Sequence, residues 1–335
     1  MNRLWIHIGA HKTGTTYVQE QFAEHEEAIA AQGVLYPKTG REFLWGHHRL
    51  IRRIGDSASF DKTKRELADE MDGFKGDVFI SSENFGYLTA EQMRKVASLF
   101  DARDIKVIYM YRNWTPLLYS SWQEHVKHGG IAHLHQYAFS NVVFYQKSRL
   151  LNFNLPIAKA ETAFGSGKVS IASYDTVRRQ GDLVKFFFDL LGIPGVKPPA
   201  GVVKNKSLTP AVAEIARILN RLAARNKIGN GSEMRKLFLK HLNRKSDPRI
   251  GKLLQIMQPY IEKFDDVSDS AIAREFSKRF VMRHAKNFVV PEDTQKISDA
   301  DLPRFVGPDY LTDPAAAPAL KALFDTISAK IAAAR

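Results

Sequence analysis

Short apolar runs alternate with amphipathic stretches along the first two-thirds of the chain, and this alternation limits the folds open to it. LWIHIG (4–9), VLYP (34–37), DVFISS (77–82), KVIYMY (106–111) and KVSIASY (168–174) each read as a strand. They are short and bounded by turn or polar residues, and most are rich in β-branched and aromatic side chains. Helical patterns occupy 15–31, 62–72, 89–100, 115–128 and 180–191. In the first of these, Val18, Phe22 and Ile29 recur on one face and Gly33 supplies a stop signal. Near-continuously apolar strands separated by helices predict an α/β fold, a parallel sheet covered on both faces.

The pattern changes near residue 205. TPAVAEIARILNRLAARNK and AAAPALKALFDTISAKIAAAR are amphipathic helices, and MRKLFLKHLNRK is a basic one. Prolines at 194, 198 and 199 mark a linker. The expected organisation is an α/β core over 1–204. A helical region over 205–335 either completes that domain or forms an acceptor-side subdomain.

Charge and cysteine content narrow the chemistry. The chain of 335 residues carries 49 basic and 36 acidic residues, a formal net charge of +13, which favours anionic partners. With no cysteine there is no disulfide, thiolate nucleophile or sulfur-ligated zinc. MNRLWIHIG is strand-like by residue 4 and has no leader-peptide features. No apolar run reaches the roughly 18 residues needed to span a bilayer. The expectations are a cytoplasmic location and no membrane span.

After the first strand comes GAHKTGTT (9–16). It is close to the nucleoside-triphosphate loop G-x-x-x-x-G-K-[ST], but Lys12 precedes Gly14 and Thr15 stands where the lysine belongs. A strand, a glycine turn and a helix start still make an anion site, because the first helical amides lack internal partners and the dipole favours negative charge. Gly14 admits close backbone approach, Thr15 and Thr16 add hydroxyls, and Lys12 adds a cation at the lip. Such a loop suits a nucleotide with one 5′ phosphate. The later strand KVIYMY runs directly into Arg112, with Ser120 eight residues beyond. An arginine at the C-terminal end of a parallel strand points into the ligand crevice, and guanidinium with hydroxyl can hold a second phosphate.

Together these segments resemble the sulfotransferases that use 3′-phosphoadenosine 5′-phosphosulfate (PAPS). Those carry P-K-[ST]-G-T-T after the first strand, where this chain has H-K-T-G-T-T at 11–16. They carry an R-x-P-x-x-x-x-x-S segment, matched by Arg112 and Ser120 except that Trp114 replaces the proline and Pro116 follows two residues later. Their Tyr-Glu pair corresponds to Tyr174-Asp175 here. The resemblance covers about residues 4–210. It implies that His11, Lys12, Thr13, Gly14, Thr15 and Thr16 hold the 5′-phosphosulfate, and that Arg112 and Ser120 hold the 3′-phosphate. Tyr174 would lie near the adenine, and Lys204, Asn205, Lys206 and Ser207 would close over the 3′-phosphate. Lys12 would stabilise the departing phosphate, with adenosine 3′,5′-bisphosphate as product and no metal required.

In that family the base follows the strand preceding the Arg/Ser segment. Glu83, after DVFISS, is the expected base, and one of His47 and His48, with His48 put forward, is the alternative. His47 and His48 would line the acceptor pocket, with Glu124 and Lys127 also on the acceptor side. The acceptor would be a small molecule or oligosaccharide, a carbohydrate in class, the basic charge favouring an anionic one, with no nucleic acid expected. His125 and His128 share a helix face near His133 and His135, but no acidic or cysteine ligand is fixed beside them and Gly129-Gly130 interrupts the element, so no metal is expected. Two other readings remain open: a kinase-like or NTP-hydrolysing enzyme, and a non-catalytic polyanion-binding protein built on the basic surface.

Overall fold

The computed structural model describes residues 2–42, 45–101, 104–196, 208–228, 238, 248–291 and 297–333. Five strands form where the apolar runs predict them: β1 Arg3–His7, β2 Val34–Leu35, β3 Asp77–Ser81, β4 Asp104–Tyr111 and β5 Val169–Ser173. Three short strands follow: β6 Ile261–Lys263, β7 Phe288–Val290 and β8 Arg304–Val306. The main sheet is parallel with order β2-β3-β1-β4-β5-β7, while β6 and β8 pair antiparallel. Strand β7 therefore lies in the part of the sequence that reads as helical.

Two compact units result, each discontinuous in sequence. The sheet unit comprises Met1–Asn113, Tyr145–Lys204 and Arg274–Gln295. The second unit comprises Trp114–Phe144, Asn205–Ala273 and Lys296–Arg335. Segment 114–144 of the expected core thus belongs to the second unit, and 274–295 of the expected helical region belongs to the sheet unit. Much of the basic stretch 234–245 lies outside the described residues.

Among the helices are α1 Thr15–Glu24, α2 Glu26–Ala31, α3 Arg49–Arg53, α4 Ser57–Met71, α5 Ala90–Ala97, α6 Trp114–Lys127, α7 Leu134–Val143, α8 Asn154–Phe164, α9 Tyr174–Gln180, α10 Leu183–Leu191 and α11 Pro210–Asn226. The single helix expected over 15–31 is two. At His25 φ is −113°, and its ring Nδ1 lies 2.9 Å from the Gln21 carbonyl oxygen. A side chain bonding locally to backbone competes with the helical ladder and ends it there.

Alternation along the strands divides the sheet unit's core into two layers. Trp5, Phe79, Ile108, Met110 and Ala172 belong to the layer that takes Val18 and Phe22 of α1 and Phe187 and Phe188 of α10. Phe22 is fully buried, with the rings of Tyr36, Phe79, Phe187 and Phe188 around it. Burying one such side chain stabilises the fold by about 1.5–3 kcal/mol. The intervening residues Tyr109 and Tyr111 pack on Phe153, and Tyr111 also meets Phe280 and Phe288. These two layers hold the strand ends in place.

The second unit is organised around a buried ion pair. Arg217 of α11 donates to both carboxylate oxygens of Glu214 at 2.7 and 2.6 Å, and the Tyr310 hydroxyl donates to Glu214 Oε1 at 2.9 Å. Arg217 also donates to the Ile131 carbonyl, while Asn220 Nδ2 donates to the carbonyls of Val126 and Gly130. Helix α11 thereby grips the turn that follows α6. Among the described residues no helix is long and apolar enough to cross a membrane.

Removing one partner of a buried pair strands the other charge. Arg217→Ala is expected to lower unfolding stability by about 3–5 kcal/mol. The double change Glu214→Leu/Arg217→Met should recover most of that loss in urea denaturation. An unchanged midpoint in Arg217→Ala would show that the pair contributes nothing.

Candidate active site

The carboxyl ends of β1, β3, β4 and β5 share one edge of the sheet. From β1 the chain goes to β2 on one side, returns to β3, then crosses β1 to reach β4 on the other side. The winding reverses at β1, and open parallel sheets bind ligands outside the strand ends at such a reversal. His7, at the end of β1, is in register with Ser81 at the end of β3.

The loop from β1 into α1 occupies this point. Gly14 has φ 71° and ψ 18°, a left-handed conformation that favours glycine. A Cβ there would stand 2.6 Å from Leu183 Cδ2 and 3.4 Å from the Tyr174 ring. No side chain caps α1 and no acid stands in its first turn, so its N-terminal dipole suits an external anion. Thr15 is buried at the helix start and Thr16 is half-buried. Thr13 departs from expectation: it is fully buried, and its hydroxyl donates to the Ala10 carbonyl at 2.7 Å. That hydroxyl ties the loop to itself rather than facing a ligand.

Arg112, just past β4, braces the loop. Its Nη1 donates to the Lys12 carbonyl at 2.7 Å, and its guanidinium lies 4.8 Å from the centre of the Tyr174 ring. Its Nε is 3.6 Å from Asp175 Oδ1 and is buried without a hydrogen-bond partner. Asp175 Oδ2 accepts from the Asn113 amide at 2.7 Å. Burial pushes the Asp175 carboxyl above the usual range despite the pull of Arg112. Tyr174 is 8% exposed, so it forms the seat of the loop more than an open platform.

On the β3 side, Glu83 opens a 3₁₀ helix, Glu83–Tyr87. Gly9 has φ 104°, and a Cβ on it would lie 3.3 Å from Glu83 Cα, so loop and carboxylate-bearing turn are in backbone contact. Gln19 of α1 donates to Glu83 Oε2 at 3.2 Å and to Ser81 Oγ at 3.2 Å. His48 Nε2 stands 3.9 Å from Glu83 Oε2, and its Nδ1 is 2.8 Å from Ser82 Oγ. Burial raises the Glu83 pKa, but its own backbone amide, His48, His11 and Gln19 together outweigh burial and hold the carboxyl below its ordinary value. Glu83 is thus ionised at neutral pH. His11 is displaced downward, burial being the main cause. Glu83, His48 and His11 line a cleft of about 460 Å³ with Glu42, Ile51, Arg52, Asn84, Tyr87 and Leu88.

His47 does not line the cleft, contrary to the sequence expectation. It is fully buried, its Nε2 is 2.9 Å from the Pro37 carbonyl oxygen, and its Nδ1 accepts from the Ser81 amide at 3.2 Å. Both ring nitrogens are engaged with backbone, so His47 is a core residue. Ser120, Glu124 and Lys127 lie on α6 in the second unit. There Glu124 pairs with Lys127 at 3.7 Å and with His128 at 2.9 Å, as neighbours on a helix face do. His125 sits against Tyr137, and His133 and His135 pack on Phe305. Lys204, Asn205, Lys206 and Ser207 lie outside the described residues.

Sequence reasoning missed Gln19, Arg52, Asn84 and Tyr87. Gln19 had a signal: it is a polar residue beside Val18 on the buried face of α1, where burial demands a specific partner. Asn84 and Tyr87 follow Glu83 in ENFGY, and only the 3₁₀ turn brings them to the same cleft.

No protein-family model matches the sequence, and no curated protein matches it. Among solved structures, a sulfotransferase from Alicyclobacillus acidocaldarius is similar over 67% of this chain and 95% of that chain, at 18% identity and a TM-score of 0.36. That likeness is too remote to assign an activity.

Gly14→Ala forces a side chain into a left-handed position and against Leu183, and should cost about 1–3 kcal/mol of stability by urea denaturation. A neutral effect would mean that the loop relaxes freely. The pH response is equally specific. Burial lowers His7 to about 4 and His47 to about 3. The unfolded chain takes up protons on both below about 6.5, so their contribution to stability is complete above that pH and declines as pH falls towards the folded values. Their imidazole NMR signals should stay at the neutral position from pH 8 to 5. A midpoint near 6.5 for either ring would overturn this.

Proposed function

We propose that this chain is a sulfotransferase that moves the sulfuryl group of PAPS to a hydroxyl or amine of a carbohydrate acceptor, releasing adenosine 3′,5′-bisphosphate. One observation carries the reading: a glycine loop leading into an uncapped helix start and the Glu83 carboxylate of a cleft meet in backbone contact at the reversal point of a parallel sheet. The loop would take the 5′-phosphosulfate through its amides, Thr15, Thr16 and Lys12. Arg112, whose planar guanidinium stands against the loop at the Lys12 carbonyl, suits the 3′-phosphate. Ser120 and the segment 204–207 enter this proposal through the resemblance alone.

In the reaction the bond from sulfur to the donor phosphate oxygen breaks as the bond to the acceptor oxygen forms. The acceptor proton passes to Glu83, and negative charge collects on the departing phosphate, where the Lys12 ammonium offsets it. A carboxylate held below its usual pKa is a weak base. The proton therefore moves late, once the attacking oxygen has become acidic. His48, 3.9 Å from Glu83, is the competing base. A triphosphate-using enzyme is less well supported, because Thr15 occupies the position where such loops place a lysine.

Calorimetric titration with adenosine 3′,5′-bisphosphate, with and without magnesium and beside ATP, tests the donor. Magnesium-independent binding of the bisphosphate and little binding of ATP is expected. The reverse preference would establish a triphosphate enzyme, and binding of neither would favour the polyanion-binding reading. Lys12→Ala and Arg112→Ala should each lower kcat/KM for the donor by about 10²-fold. Glu83→Gln should remove turnover while leaving bisphosphate affinity unchanged, and equal loss of both would make Glu83 structural. Turnover should stay flat from neutral pH down to the carboxylate range, whereas an acidic limb near neutrality would identify an imidazole base.

A further inference from the structure

Beside Tyr87, a residue of the cleft lining, two cations have no anionic partner among the described residues. Tyr87, which lines the cleft, stacks on His11 with ring centres 5.0 Å apart. The Arg149 guanidinium lies 5.5 Å from the centre of the Tyr87 ring, and Lys159 Nζ donates to the Tyr87 carbonyl at 3.4 Å. Neither Arg149 nor Lys159 has a carboxylate within 4.0 Å among the described residues. The arginine that lines the cleft differs: Arg52 is paired with Glu42 at 2.5 Å. Burial, and then the charge of Arg149, hold Lys159 below the usual lysine range, as two like charges in proximity do.

Two neighbouring cations repel each other. Without an anion between them they cost stability that a bound anion would return. We propose that Arg149 and Lys159 form a subsite for a negatively charged group on the acceptor, a carboxylate or sulfate carried by a sugar. The inference rests on reading the Glu83 cleft as the acceptor site. Within that cleft the charges are ordered by the 3₁₀ helix. Glu83 and Tyr87 are its first and last residues, and at about 2 Å per residue their backbones are roughly 8 Å apart. An acceptor drawn to the cationic end keeps its own charge away from the Glu83 carboxylate and presents an uncharged hydroxyl there.

The test is equilibrium titration of the full chain with three probes: 4-nitrophenyl β-D-glucuronide, the corresponding glucoside 6-sulfate and the neutral glucoside. At low salt, at least one anionic probe should bind about tenfold more tightly than the neutral one, as two partly exposed charge contacts allow. Whichever binds more tightly identifies the anion. The double variant Arg149→Ala/Lys159→Ala should bind all three alike, and Arg149→Lys/Lys159→Arg should retain the preference. Equal binding of the three by the unmodified chain, or a preference surviving in the alanine variant, overturns the subsite. Titration with adenosine 3′,5′-bisphosphate on the same samples separates the two readings. If the bisphosphate binds and no charge preference appears, only the subsite falls. If the preference appears and the bisphosphate does not bind, the subsite stands and the sulfotransferase reading falls.

Discussion

The backbone contact between Gly9 and Glu83 sets the geometry of everything at the sheet edge. It joins the segment leaving β1 to the segment leaving β3, and those strands are held in register by the ladder that aligns His7 with Ser81. A side chain at position 9 would push the two segments apart and would also be strained at φ 104°. With the contact in place, Glu83 comes within reach of Gln19 on α1, and His48 comes beside it through Ser82. The β1–α1 loop and the carboxylate are thus positioned by the hydrogen-bonded ladder of the sheet.

Arg112 has a second kind of role. It is a strut, donating to the Lys12 carbonyl and lying against Tyr174 while Asp175 holds the Asn113 amide. One side chain therefore ties the loop to Tyr174 and Asp175 at once. Its substitution acts on loop shape and, under the proposed function, on anion binding as well. The conservative lysine would keep the charge but not the planar fork that reaches two groups at once.

Much of the sheet was legible because strands buried on both faces leave continuous apolar runs, and β1, β3, β4 and β5 are such runs. Strand β7 was not: FVV is three residues long, follows a helix, and has no pattern of its own until β5 presents an edge. The break at His25 was hidden because Val18, Phe22 and Ile29 keep helical spacing across it. In the site, residue type revealed the loop and Glu83 through their place after strands. It could not separate His47 from His48, adjacent residues whose roles are decided by which one packs against Tyr36 and the Pro37 carbonyl. Gln19 and Tyr87 join the site only through the packing of α1 and the turn after β3. That is tertiary information with a faint trace in sequence.

The late arrival of β7 has a consequence for synthesis on the ribosome. Strands β1 to β5 and the helices between them emerge first, and β5 then stands at the margin of the sheet with its backbone groups unpaired until residues 288–290 appear. In the interval residues 205–273 of the second unit are made, so the nascent sheet waits with an open side while a long stretch of a different body is synthesised. Exposed strand margins recruit other strands, including those of neighbouring nascent chains. Truncation before residue 288 would make that transient state permanent, leaving an aggregation-prone product that retains every proposed catalytic group.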